Sequence, residues 1–259
     1  MPLQLSQSAL TVLSLCQRKF QHIYWDQLSG LMPMEQRSHL EWGSRFHHLM
    51  QQRDLGLPLH ANPADDLSFY RCMEALVHHV PQIFDPSAWR DRLSEHRRTL
   101  RLGDAVFTAV YDLLLLGDDQ AQIIDWKTYS RPQQSHWLSQ HWQTRLYPFV
   151  LAETSAYRPD QISMTYWFVQ PYLTEPSPQS IAFPYSAAQH EQTRQSLTTL
   201  VEHLTASLAA YQEGQPLPQL PAGSPVCQDC PFALRCQRGA YAIDTPALPP
   251  LTDIAEVVL

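Results

Sequence analysis

Residues 106–127 read VFTAVYDLLLLGDDQAQIIDWK. Two β-rich runs, Val106 to Leu116 and Gln122 to Trp126, flank Gly117-Asp118-Asp119, and short β-prone runs around a Gly/Asp turn predict a hairpin. Thr99 to Arg101 stands before it across Gly103-Asp104, which extends the hairpin to a three-stranded meander beginning near Glu95. Side chains alternate along a strand, so Asp125 and Lys127 point to one side and Trp126 to the other. Asp112 falls near the end of the neighbouring strand. Two carboxylates can therefore converge on one cation, and hard ions such as magnesium or manganese choose oxygen ligands.

Outward from the meander the pattern turns helical. Gln134 to Ala156 carries an apolar stripe of Trp137, Leu138, Trp142, Leu146 and Val150, and Gln143 and Tyr147, four apart, share one face. Ile162 to Val169 and Ser180 to Pro184 predict two more strands, and Ala187 to Gln212 a long helix. The first third predicts helices: one capped by Ser6 or Ser8 and running through Leu10, Leu13, Phe20, Ile23 and Tyr24, then Glu35 to Arg53 and Ala64 to His79. A Pro-rich stretch, Gln215 to Pro225, leads to a group of cysteines, and the tail after Gly239 is again Pro-rich.

A chain of 259 residues with 44% hydrophobic and 17% charged residues can bury a core of its own. Its formal charge of -7 speaks against wrapping nucleic acid by bulk electrostatics. Arg97, Arg98, Arg101, Lys127, Arg131 and Arg145 nevertheless collect around the Asp112/Asp125 region and allow a local basic groove. Met1 to Gln7 lacks the features of a secretion signal and no run approaches the roughly 18 apolar residues of a membrane span, so a cytoplasmic location and no membrane partner are expected. Five cysteines are too few for a disulfide scaffold, and clustered ones in a reducing compartment hold metal more often.

His47, in Gly43-Ser44-Arg45-Phe46-His47 on a predicted helix, is a third candidate ligand: an imidazole serves among oxygen donors. Lys127 would orient water or stabilise phosphate charge, with Gln143 and Tyr147 steadying the site or the substrate. An isolated Asp-x-Lys is commonly surface charge; only the combination in order gives it weight. Cys227-x-x-Cys230-x5-Cys236 forms a tight triplet with Cys16 far upstream, and four thiolates could hold a 4Fe–4S cluster or a zinc ion. Cys72, beside Met73 and Leu76, reads as a small buried hydrophobe. The aromatic residues Trp137, Trp142, Tyr166 and Trp167 could stack single-stranded bases, though core packing is their commoner use.

The Gly43-x-x-x-His47 helix, Asp112, Asp125-x-Lys127 and Gln143-x-x-x-Tyr147, in that order, resemble the RecB-like branch of the PD-(D/E)XK nuclease superfamily. The resemblance covers about Leu5 to Arg238, with Glu95 a candidate for an additional acidic position. Ala109 and Leu113 depart from a glycine and an arginine frequent in that branch. The resemblance implies a restriction-endonuclease-like α/β core, a mixed sheet flanked by helices, with a helical N-terminal region and a C-terminal cysteine segment. It implies that His47, Asp112 and Asp125 bind magnesium or manganese and that Lys127 is catalytic, supported by Gln143 and Tyr147. One distant cysteine plus a C-terminal triplet resembles the iron–sulfur nucleases, such as the AddB-type and CRISPR-associated adaptation enzymes, and implies a 4Fe–4S cluster on Cys16, Cys227, Cys230 and Cys236.

The expected organisation is a single nuclease domain over 1–240 and a Pro-rich tail over 241–259. Within the domain, residues 1–90 are helical, 91–186 form the nuclease core, and 187–240 supply a helix and the cysteine cluster. The expected activity is metal-dependent hydrolysis of DNA, exonucleolytic on single-stranded or duplex ends, in repair or recombination. A helicase, recombination or CRISPR partner would act in trans, since no GxxxxGK[S/T] phosphate loop occurs in the chain. The alternatives are a CRISPR-associated prespacer-processing nuclease and a non-catalytic DNA-binding scaffold that keeps the cluster.

Overall fold

The computed structural model describes residues 3–30, 34–59, 67–132, 136–170 and 177–238. The tail over 241–259 and the first positions of the helices expected from Ala64 and Gln134 lie outside the described residues. In order, the elements are β1 (Leu3–Ser6), α1 (Gln7–Leu15), α2 (Gln17–Phe20), α3 (Met34–Asp54), α4 (Leu67–His79), α5 (Pro81–Phe84), β2 (Asp91–Leu102), β3 (Ala105–Leu116), β4 (Ala121–Lys127), α6 (His136–Gln140), α7 (Trp142–Glu153), β5 (Ile162–Phe168), β6 (Gln179–Pro184) and α8 (Ala187–Gln212).

The six strands form one mixed sheet, and β3 organises it. Along its whole length β2 pairs with it antiparallel, from Leu102 opposite Ala105 to Asp91 opposite Leu116. The other edge is shared: β1 pairs in parallel with residues Ala105 to Thr108, and β4 pairs antiparallel with Leu113 to Leu116. Between the two partners, over Ala109 to Asp112, that edge is split. Beyond it, β5 runs parallel to β4 and β6 closes the sheet antiparallel.

Helices cover both faces, as the α/β expectation required. Leu5, Phe107, Ala109, Tyr111, Ile123, Met164 and Tyr166 pack under α1, α7 and α8, while Phe46 and Leu76 of α3 and α4 pack with Leu113, Leu115, Ile124, Trp126 and Trp167. Tyr166 and Trp167 are thus core residues. Alternation would keep Tyr111 and Leu113 on one face. They join opposite cores instead, so β3 shifts parity at Asp112. Its neighbour on β2, Glu95, has a left-handed φ of 49° while the register on either side is unchanged, a conformation that costs energy in a non-glycine residue and clusters at functional sites.

Several sequence expectations are adjusted. The N-terminal strand β1 was not expected, because four residues give too short a pattern to separate from a helix start. Ser6 caps α1 by accepting from the Ala9 N–H at 3.2 Å. The first helix does not run through to Tyr24: at Cys16 the backbone is extended, φ −162° and ψ 115°, and the Cys16 sulfur caps α2 by accepting from the Lys19 N–H. β2 begins at Asp91, ahead of Glu95. The helical pattern after Gln134 is two helices broken at His141. The meander, β5, β6 and α8 stand where expected. Among the described residues no helix is long and apolar enough to cross a membrane.

Candidate active site

The split edge of β3 is where the chemistry collects. Asp112, with no strand partner on that side, turns its carboxylate into the gap and accepts from the Trp126 N–H at 2.7 Å, doing with a side chain what the ladder would have done. From the α3 side His47 brings Nδ1 to 3.3 Å from Asp112 and 4.0 Å from Glu95. Its Nε2 lies 3.0 Å from the Trp126 carbonyl oxygen, to which it must donate, so Nδ1 is the ring nitrogen that faces the acids. One donor atom each from His47, Glu95 and Asp112 lies within 4.8 Å of the others, the one such metal-competent group among the described residues.

Asp125 stands on the other side of the gap and is almost fully buried. Its carboxylate pairs with Lys127, as alternation predicted, and accepts from Gln143 of α7. The Gln143 carbonyl in turn accepts from Lys127 at 2.9 Å, closing a three-membered ring. Tyr147 is buried behind this ring, edge-on to Tyr111 at 5.3 Å, and the Tyr111 hydroxyl donates to the Tyr147 carbonyl at 3.1 Å. Gln143 therefore touches the charged pair, and Tyr147 holds α7 against β3.

The electrostatics fit a cation. Burial and the negative charge of Asp112 both raise the pKa of Asp125 and of Glu95. Burial works against the charged form of His47, yet the carboxylates of Asp112, Asp125 and Glu95 outweigh it and hold the imidazole up at about 9. Crowded carboxylates that push one another toward protonation are relieved by a divalent ion, and oxygen atoms with one imidazole suit magnesium or manganese. Asp112 and Asp125 were expected as ligands with His47 as the third; in the structure the close group is His47, Glu95 and Asp112, and Asp125 acts on it through charge. Sequence reasoning placed Glu95 only as an additional acid, because a lone glutamate carries no spacing signal.

A cleft of about 580 Å³ opens over these groups, lined by His47, Glu95 and Lys127 together with Leu40, Gly43 and Tyr129. Gly43 lets α3 come this close: a Cβ there would stand 3.1 Å from Thr128 Oγ1. Gly43→Val is expected to push α3 off the strand at a cost of roughly 1–3 kcal/mol. Thr128→Ala in the same chain should recover most of it, read by thermal melts of the single and double variants. Of the cations expected around the site, Lys127 is present. Arg98 bonds the Thr154 carbonyl, Arg101 the Gly103 carbonyl, and Arg145 Ser196 and the Trp142 ring.

A family model described as the PD-(D/E)XK nuclease superfamily matches residues 4–237. The chain belongs to this superfamily. Nucleases of this superfamily use divalent metals, and a group that could hold such an ion, His47, Glu95 and Asp112, is present here. Among solved structures, a protein of Eubacterium rectale named as a putative exonuclease is 12% identical, with 83% of each chain covered and a TM-score of 0.51, and shares the fold. A second, SSO0001, is also 12% identical over 90% of this chain and 85% of its own, with a TM-score of 0.35, too low to carry an argument. The curated proteins contain no match.

The four cysteines meet at the far end of α1. Cys16, Cys227, Cys230 and Cys236 line one small hollow together with Arg18 and Lys19. No three of their sulfur atoms lie within 4.8 Å of one another. Residues 16–26 are clasped to residues 211–238 without them: Arg18 donates to the Leu217 carbonyl at 2.7 Å, Gln21 accepts from the Leu217 N–H at 2.8 Å, and Tyr211 donates to Asp26 at 2.6 Å. Buried His22 bridges the two sets, with Nδ1 2.8 Å from Asp26 and Nε2 3.6 Å from the Cys236 sulfur. Cys72 is buried and remote, and its thiol is pushed up to about 11 by burial, as a packing residue should be.

Proposed function

We propose that the chain is a RecB-like, metal-dependent deoxyribonuclease, one nuclease domain over 1–240, acting on single-stranded ends in DNA repair or recombination. The observation that carries the reading is the convergence of His47, Glu95 and Asp112 beside the Asp125–Lys127–Gln143 ring at the split edge of β3. A magnesium or manganese ion held by His47, Asp112 and Glu95, with Asp125 adding its charge, would polarise the phosphodiester and lower the pKa of a bound water. Lys127 is kept as an ammonium: burial works against its charge, but the adjoining Asp125 carboxylate prevails and raises its pKa. It therefore supplies positive charge and a donor to the phosphate rather than taking a proton. Gln143 fixes the Lys127 and Asp125 head groups relative to each other, so their geometry is set before substrate arrives.

For the cysteines the proposed occupant is a 4Fe–4S cluster. A tetrahedral zinc with bonds of about 2.3 Å would set the sulfur atoms roughly 3.8 Å apart. Cys16, Cys227, Cys230 and Cys236 all line one hollow, and four thiolates around one site are the ligand set of a 4Fe–4S cluster. Such a cluster would reinforce the clasp between the two ends of the chain.

The activity is tested by incubating the purified chain with end-labelled single-stranded DNA and manganese. Shortening of the strand that stops on chelation and returns on adding manganese is the expected result. Intact DNA under every divalent metal tried, by protein that is folded by circular dichroism, would reject it.

A further inference from the structure

The cleft over the active site has an aromatic wall that the chemistry at its floor does not use. Tyr129 follows Lys127 by two residues, a chain reach of roughly 7 Å, and lines the same cleft as His47, Glu95 and Lys127. Its side chain is 46% exposed, whereas Trp126, Tyr166 and Trp167 are locked in the cores. Trp142 is tied to Ser14 by a 2.8 Å hydrogen bond and covered by Arg145. Trp137 is as exposed as Tyr129 but rests against His141 and does not line the cleft. The Tyr129 ring is held edge-on against buried Phe168, with centroids 5.6 Å apart and planes at 68°. The core contact thus orients the ring while nearly half of the residue stays exposed. Leu40, 59% exposed, offers a second apolar surface in the same cleft.

We infer that Tyr129 is a base-stacking residue that seats one unpaired nucleobase beside the scissile phosphate and so confers preference for single-stranded substrate. The inference rests on the nuclease reading of the adjoining carboxylates. An anion at the Lys127 end of the cleft leaves its base to find an apolar partner, and an exposed ring at this distance from Lys127 provides one. Every base has a π-face, so the contact is tolerant of sequence. A base in a duplex is already stacked and paired, and only an unpaired one can be laid on the ring. Stacking one base on an aromatic residue corresponds to roughly 5- to 150-fold in affinity. The hydroxyl is not required, and phenylalanine should serve.

The test measures binding by fluorescence anisotropy with calcium in place of manganese, using the full chain. The probes are a labelled oligothymidylate, the same strand with abasic sites, and a blunt duplex. Tyr129→Ala is expected to weaken oligothymidylate binding about tenfold, with Tyr129→Phe close to the unmodified chain. The abasic strand and the duplex should bind the alanine variant and the unmodified chain alike. Equal binding of oligothymidylate by Tyr129→Ala, an equal loss on the abasic strand or the duplex, or no single-strand binding by the unmodified chain would each overturn the inference. Failure of the nuclease reading looks different: Tyr129-dependent binding would persist while manganese supports no cleavage.

Discussion

Asp112→Asn is expected to lose nearly all cleavage while the protein stays folded. The amide oxygen can still accept from the Trp126 N–H, so the 2.7 Å bond that replaces the missing ladder survives. What goes is the charge that faces His47 and crowds Asp125 and Glu95. Under the proposed function that charge holds the metal, and losing a contribution of several kcal/mol to the transition state corresponds to an expected fall of about 10³-fold or more in cleavage rate with manganese. The melting temperature in chelator should stay within a few degrees, because like-charge repulsion is relieved as the His47 partner is lost. Asp125→Ala would confuse the two effects, since it leaves the Lys127 ammonium buried without its carboxylate. Cleavage by Asp112→Asn at the rate of the unmodified chain would dismiss the His47–Glu95–Asp112 centre.

The second large effect is on stability. Cys16→Ala, purified without oxygen, is expected to lose its iron and to melt about 10 °C lower than the unmodified chain. A cross-link from Cys16 to Cys236 spans most of the chain. Constraining a loop of that size is worth on the order of 4 kcal/mol in the unfolded state, and each kcal/mol moves the melting point of a chain this long by roughly 2–4 °C. Iron by colorimetry and a circular dichroism melt read the two consequences separately. Full iron content in Cys16→Ala would remove Cys16 from the ligand set, and iron-free protein that melts at an unchanged temperature would show that the hydrogen-bonded clasp suffices.

Much of the site was legible from the order of side chains along the chain. Strand alternation alone put Asp125 with Lys127 and Trp126 behind them, and helical spacing put Gln143 and Tyr147 on one face. Three features were not legible. Glu95 enters the site through a left-handed backbone that no residue pattern announces. The gap that frees Asp112 exists because β1 and β4 divide one edge of β3, a pairing between distant segments. The helix break at Cys16 overrides a continuous apolar spacing, because the thiol is needed at a turn where it caps α2 and faces the other cysteines.

The sharing of β3 has a bearing on biogenesis. β1 is made about a hundred residues before the partner it lies beside, and the clasp from Arg18 to Leu217 and from Tyr211 to Asp26 joins segments 199 and 185 residues apart. Contacts so far apart in sequence form slowly. A nascent chain that has made β3 and β4 already carries Asp112, Asp125 and Lys127, but not the Gln143 that aligns them nor the C-terminal half of the clasp. The ring of Asp125, Lys127 and Gln143 therefore cannot close until α7 has been made.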